Sequence, residues 1–158
     1  SKYPQFIKNI SPKPSSRWHT RFNRLLNALR NNAKFPPYWI DVHMDTGKVI
    51  YPYAYALGAF WPSLLAYEGH IEEAEENFEA VMSLWQVYGG LPEVQNVMHM
   101  DAVPLKGMQQ YFLRPEAAES AFYLYQKTKN KKYQYAGYLM LEAIERTMKT
   151  DCGYTILE

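Results

Sequence analysis

The stretch Leu113-Arg114-Pro115-Glu116-Ala117-Ala118-Glu119-Ser120 brings two carboxylates and a guanidinium together at what reads as a loop-to-helix junction. Pro115 is tolerated at the start of a helix, so Glu116 falls in the first turn. Glu119 follows three positions later on the same face, with Arg114 just outside the helix. A neighbouring guanidinium favours the ionised form of a carboxylate, and an ionised Glu116 can act as a general base or accept hydrogen bonds from hydroxyl groups. Helix-dipole capping with an ordinary ion pair accounts for the same residues without any chemistry, and spacing alone favours that plainer reading.

Other reactive side chains are less promising. Asp41-Val42-His43-Met44-Asp45 places ligand-type residues at alternate positions, on one face of a strand. It is not an EF-hand loop, because its glycine falls one position late and Pro52 stands where the closing Glu should be. A solvated hairpin face is expected there. His99-Met100-Asp101 is too short to define a metal site, and His19 and His70 have no recognisable partners in the sequence. Cys152 is the single cysteine, so no internal disulfide can form and no Cys-His nucleophile motif is present. Glu72, Glu73, Glu75, Glu76 and Glu79 lie toward the start of a helix, where the dipole favours them, and read as a solvated face. Asn9-Ile10-Ser11 is a glycosylation sequon weakened by the following Pro12.

These groups must be positioned by helices. Residues 1–16, rich in Pro and Ser, read as a loop or extended N-terminal segment. Trp18, Phe22, Leu25, Leu26 and Leu29 then recur at helical spacing until Asn31-Asn32, and Phe35-Pro36-Pro37 breaks the pattern. Tyr38 to Met44 alternates, Asp45-Thr46-Gly47 turns, and Lys48-Val49-Ile50-Tyr51 returns, which predicts a small β-hairpin. A helix is expected over 53–67 with Leu57, Phe60, Leu64 and Leu65 buried, and a clearer one with Ile71, Ala74, Phe78, Val81, Met82 and Trp85 on one face. Residues 89–112 read as a long irregular loop, the kind that often carries function. Helices from Pro115 to about Gln126, and along Tyr133, Ala136, Met140, Ile144 and Met148, complete two αα-hairpins. Successive hairpins suggest a solenoid or an α/α toroid.

Composition narrows the function classes. The 158 residues carry a net charge of +1 without a long basic block, which argues against a nucleic-acid surface. With 47% hydrophobic and 21% charged residues the chain is a folded domain, and no apolar run is long enough to cross a bilayer. Aromatic residues reach 16%, with 14 Tyr against 7 Phe and 4 Trp, a bias that suits a helical core or a half-apolar, wet cleft. Tyr123, Tyr125, Tyr133 and Tyr138 are expected to pack between helices, and Tyr111 to line a cleft. Without an initiator Met or signal-peptide profile, and ending in an apolar run, the sequence reads as cut at both ends.

The Leu113-Arg114-Pro115-Glu116-x-x-Glu119-Ser120 block, followed by Phe122-Tyr123-Leu124-Tyr125-Gln126-Lys127-Thr128, resembles the Arg-Pro-Glu motif and helix of glycoside hydrolase family 47, the class I α-mannosidases. Gly58-Ala59-Phe60-Trp61-Pro62, Gly89-Gly90-Leu91-Pro92-Glu93 and Cys152-Gly153-Tyr154 fit in the same order and look most like the ER degradation-enhancing (EDEM) branch. The resemblance implies an all-α fold in which αα-hairpins at 17–158 form part of an (α/α)7 barrel with a small β-hairpin insertion. It also implies calcium-dependent, inverting hydrolysis of α-1,2-linked mannose on high-mannose N-glycans of misfolded glycoproteins, in the endoplasmic reticulum lumen.

By resemblance, Glu116 matches the glutamate proposed as general base, Arg114 the neighbouring arginine of the sugar site, and Glu119 a further acid lining that pocket. Inversion needs a second carboxyl group. The blocks carrying the general acid are not found here, the calcium ligands belong to segments outside this sequence, and Ala56 stands where some processing mannosidases have His. The chain alone is therefore expected to be inactive. The resemblance also implies that Cys152 pairs with a cysteine from the N-terminal part of the barrel, with a protein disulfide isomerase as a possible partner. Two alternatives stay open: a mannose-binding relative without catalysis, and a helical-repeat scaffold that binds protein partners.

Overall fold

The computed structural model describes residues 17–157. The 1–16 segment and the Asn9 sequon lie outside the described residues. Helix α1 (Arg17–Asn32) leads into two small hairpins, β1 (Lys34–Phe35) with β2 (Tyr38–Trp39), and β3 (Asp41–Val42) with β4 (Val49–Tyr51). Strand β5 (Tyr53–Tyr55) and a 3-10 turn (Ala56–Phe60) precede helices α2 (Trp61–Glu68) and α3 (Ile71–Tyr88). Strands β6 (Val94–Asn96) and β7 (Asp101–Ala102) follow, then helices α4 (Glu116–Thr128) and α5 (Lys132–Thr147), and a last hairpin, β8 (Lys149–Thr150) with β9 (Gly153–Tyr154). The expected α2/α3 and α4/α5 hairpins are both present, and α2 packs against both α3 and α4.

Helical spacing is read most faithfully in α3, where Ala74, Phe78, Val81, Met82 and Trp85 are all buried. Tyr133 of α5 meets the edge of Phe78, with ring centroids 5.5 Å apart, and joins the α4/α5 hairpin to this core. Ser120 of α4, fully buried, donates a hydrogen bond to the Ala59 carbonyl at 2.5 Å and accepts one from the Ser63 amide at 3.1 Å. One hydroxyl thus satisfies two backbone groups at the start of α2, where Pro62 is harmless because the first turn needs no partner for its nitrogen.

Four expectations are corrected. Residues 53–67 are not one helix: Tyr53, Ala54 and Tyr55 pair with Asn96, Gln95 and Val94, and only α2 is α-helical. For the same reason 89–112 is not wholly irregular, because β5, β6 and β7 form a three-stranded sheet. In α1 the apolar stripe exists but only Leu26 is buried, while Trp18 and Leu25 are 63% and 61% exposed, because no described element covers that face. Finally, Tyr138 is exposed, whereas Tyr133 is buried, Tyr125 packs against the core and Tyr123 meets Tyr67 of α2 edge-on with centroids 6.2 Å apart, as expected.

The acidic run is also more than a solvated face. Glu73 of α3 receives Arg30 at 2.6 Å and Lys34 at 2.7 Å, and so fastens α1 and β1 onto α3. Burial pushes the Glu73 pKa up, but the hydrogen bonds from Arg30 and Lys34 outweigh it and hold the carboxyl below its ordinary 4.5. A depressed carboxylate stabilises the fold above its unfolded pKa, and that stabilisation disappears as the pH falls through the folded-state value. The Glu73→Gln variant is therefore expected to be less stable than the parent at pH 7 in urea unfolding, with the difference shrinking as the pH falls below 4.5.

Candidate carboxylate and guanidinium site

Two segments meet at the N-terminal end of α4. Residues 89–93 leave α3 through Gly89, which takes the left-handed conformation (φ 74°) that closes that helix. Gly90 follows with the Tyr111 ring so close that an added Cβ would lie 2.8 Å from Cδ1. Tyr111 is 3% exposed, meets Trp85 edge-on with centroids 5.0 Å apart, and exchanges backbone hydrogen bonds with Leu157 at 3.0 and 3.2 Å. Its hydroxyl donates to the Arg114 carbonyl at 2.8 Å. The expectation that Tyr111 lines a cleft is thus corrected: the ring is core, and the tip supports the junction from beneath. Burial, together with the nearby Glu116 charge, pushes its pKa up to about 12, so the hydroxyl stays a donor.

Arg114 finds its hydrogen-bonded partner across the chain rather than along it. Its Nε and Nη2 donate to the two carboxylate oxygens of Glu93 at 2.5 and 2.8 Å, a bidentate pair. The Glu93 hydrogen bond is the main reason the Arg114 pKa is raised, and the Glu116 charge adds to it. Glu93 was legible only as part of Leu91-Pro92-Glu93, because helical spacing says nothing about a residue so distant in sequence. The sheet sets its place: Tyr55 pairs with Val94, and the Ala56 amide donates to the Glu93 carbonyl at 3.0 Å.

Glu116 opens α4, half-buried, and its Oε2 is fully buried with no hydrogen-bond donor among the described residues. Glu119, one turn on, is exposed at the edge of an open cleft lined also by Phe60, Ser63, Leu64, Tyr67 and Tyr123. Glu116, Arg114 and Glu93 therefore form one electrostatic cluster, with Glu119 beside it on the helix. A carboxylate so placed can take a proton from, or accept a hydrogen bond from, a polar ligand.

The remaining sequence candidates do not join this cluster. Asp41 accepts a hydrogen bond from the Tyr55 hydroxyl at 3.0 Å, and His43 Nδ1 accepts one from the Asp45 amide in a local turn, as a solvated hairpin would. Cys152 is an exposed free thiol between β8 and β9. Among the described residues no three His, Cys, Asp or Glu gather in a way that could hold a metal ion. None of the described helices is long and apolar enough to cross a membrane.

These features describe a mainly α-helical protein with a carboxylate and guanidinium site at one helix N-terminus. Comparison with known proteins gives the family: the chain belongs to Glycosyl hydrolase family 47, whose model matches residues 2–158. It is 34% identical over 131 residues to human ER degradation-enhancing alpha-mannosidase-like protein 2, covering 83% of this chain and 22% of that protein. It is 36% identical over 133 residues to Arabidopsis thaliana Alpha-mannosidase I MNS5, covering 84% of this chain and 23% of that protein. With Schizosaccharomyces pombe ER degradation-enhancing alpha-mannosidase-like protein 1 the identity is 36% over 121 residues, covering 77% and 15%. The chain thus spans less than a quarter of the length of these relatives.

The contact between Gly90 and Tyr111 gives a direct test of how the two segments are joined. Gly90→Ala is expected to lower stability by about 1–3 kcal/mol, because the ring has no room to yield between Trp85 and the Leu157 backbone pairing. Denaturant unfolding measures it.

Proposed function

We propose that this chain is a wall of an ER-luminal α-mannosidase that trims α-1,2-linked mannose from high-mannose N-glycans of misfolded glycoproteins. The observation that carries this reading is the buried, unpartnered Oε2 of Glu116 beside the Arg114–Glu93 pair. Family membership supports it, as do relatives named as ER degradation-enhancing alpha-mannosidase-like proteins.

In an inverting glycosidase one carboxylate activates a water while a carboxylic acid, about 6.5–9.5 Å away, protonates the leaving oxygen. Glu116 takes the first role: its carboxylate removes a proton from the water that attacks the anomeric carbon. Arg114 and Glu119 bind sugar hydroxyls. The general acid and the calcium implied by the family are supplied from outside this chain. Two edges of the structure agree with an arc of an (α/α)7 barrel, since α1 exposes Trp18 and Leu25 and α5 exposes Tyr135, Tyr138 and Leu141. In the complete barrel these faces are covered by further helices.

In the complete protein, Glu116→Gln is expected to cut release of mannose from a high-mannose glycan by about 100-fold or more while the protein stays folded. Unchanged release would overturn the assignment. Cys152, exposed at the β8–β9 turn, is proposed to pair with a cysteine elsewhere in the complete protein in an oxidising lumen, with a protein disulfide isomerase as partner. Non-reducing peptide mapping should find it bridged, and an alkylatable Cys152 would refute the pairing.

A further inference from the structure

We propose that Glu93 is a positioning residue that holds the Arg114 guanidinium away from the Glu116 carboxylate, and so keeps that carboxylate unpaired for catalysis. The proposal rests on the α-mannosidase reading above and deepens it.

Three observations carry it. The first is that Glu93 extends from a fixed backbone: its amide donates to the Gln110 carbonyl at 3.1 Å, its carbonyl accepts from Ala56 at 3.0 Å, and the strand continues as β6. Its side chain is 18% exposed, so the carboxylate is presented from a largely enclosed position. The second is that both of its oxygens are engaged by Arg114, through Nε and Nη2, a geometry that sets the plane of the guanidinium as well as its distance. The third is that Glu116, close enough for its charge to act on Arg114, has a buried oxygen without a donor. An arginine next to an unpaired carboxylate should close on it unless a better partner holds it back. Glu93 is that partner.

Among the described residues, the charged and titratable groups around Arg114 are Glu93 from the segment before β6, Tyr111 from the bridge to Leu157, and Glu116 from α4, with Glu119 one turn further along. Tyr111 is already committed, since its hydroxyl donates to the Arg114 carbonyl. Removing the Glu93 charge therefore leaves Glu116 as the carboxylate to which the guanidinium turns. A carboxylate that accepts a guanidinium is a poorer base and is protonated at lower pH.

The test uses the complete protein in three forms: parent, Glu93→Gln and Glu93→Asp. The first readout is the crystal structure of each variant, which does not depend on activity. In Glu93→Gln the Arg114 guanidinium is expected within hydrogen-bond distance of Glu116. The second is mannose release against pH. Glu93→Gln should lower kcat by roughly 10-fold or more with a smaller change in KM, and move the acidic limb of kcat/KM to lower pH. Glu93→Asp retains the charge and should fall between Glu93→Gln and the parent, with the limb near its original place. An Arg114 that stays put in Glu93→Gln, or a lowered kcat with no movement of the acidic limb, would overturn the proposal. A parent protein that releases no mannose would overturn the α-mannosidase reading instead, and the crystal structures would still decide the role of Glu93. Should Glu93→Gln fail to fold, the structure and pH profile of Glu93→Asp decide: an Arg114 unmoved alongside a reduced kcat refutes the positioning role.

Discussion

The close approach of the Tyr111 ring to Gly90 is the constraint on which the rest of the site depends. An aromatic ring with a glycine against one part of it, Trp85 at its edge and Leu157 paired to its backbone has little freedom to move. That ring ties the segment leaving α3 to the segment entering α4. Everything polar at the junction is arranged around this apolar joint: Glu93 a few residues after Gly90, Arg114 a few residues after Tyr111, and Glu116 at the first turn of α4. The chain uses a tyrosine here rather than a phenylalanine because the hydroxyl is needed to satisfy the Arg114 carbonyl.

A second layer of organisation comes from polar groups that join elements far apart in sequence. Ser120 satisfies two backbone groups at the start of α2, Glu73 draws α1 and β1 onto α3, and Asn77 donates to the Pro37 carbonyl at 2.6 Å to seat the first hairpin. Polar contacts of this kind contribute modestly to net stability individually, yet each is costly to leave unpaired where it is buried. They set positions more than they supply energy. The apolar core centred on α2, α3 and α4 supplies that, and its exposed edges on α1 and α5 agree with the proposed larger barrel.

Much of the helical framework was legible because burial on one face forces a period on the sequence. Ala74, Phe78, Val81, Met82 and Trp85 announce α3, and Tyr133, Ala136 and Met140 announce α5. The same signal misleads at Tyr53–Tyr55, where the aromatic residues suit a strand as well as a helix and the choice is made by β6, which pairs Val94 with Tyr55, 39 residues earlier in the chain. It misleads in α1 too, because amphipathic spacing reveals that a face is apolar without revealing what covers it. For the site, Arg114, Glu116 and Glu119 were visible as a local motif. Their pairing was not.

Local order was decided by the sequence itself: Pro115 starts α4, the first-turn carboxylates suit its dipole, and the Arg-Pro-Glu block carries the likeness to family 47. Tertiary structure decided which charges meet. The local motif puts Arg114 two residues before Glu116, just outside the helix, but the β5–β6 ladder delivers Glu93 from another part of the chain, and its two oxygens match the guanidinium as a bidentate partner. The physical reason is that periodicity records only which residues share an element's face, whereas hydrogen bonding between ion pairs depends on a few tenths of an ångström in positions set by packing.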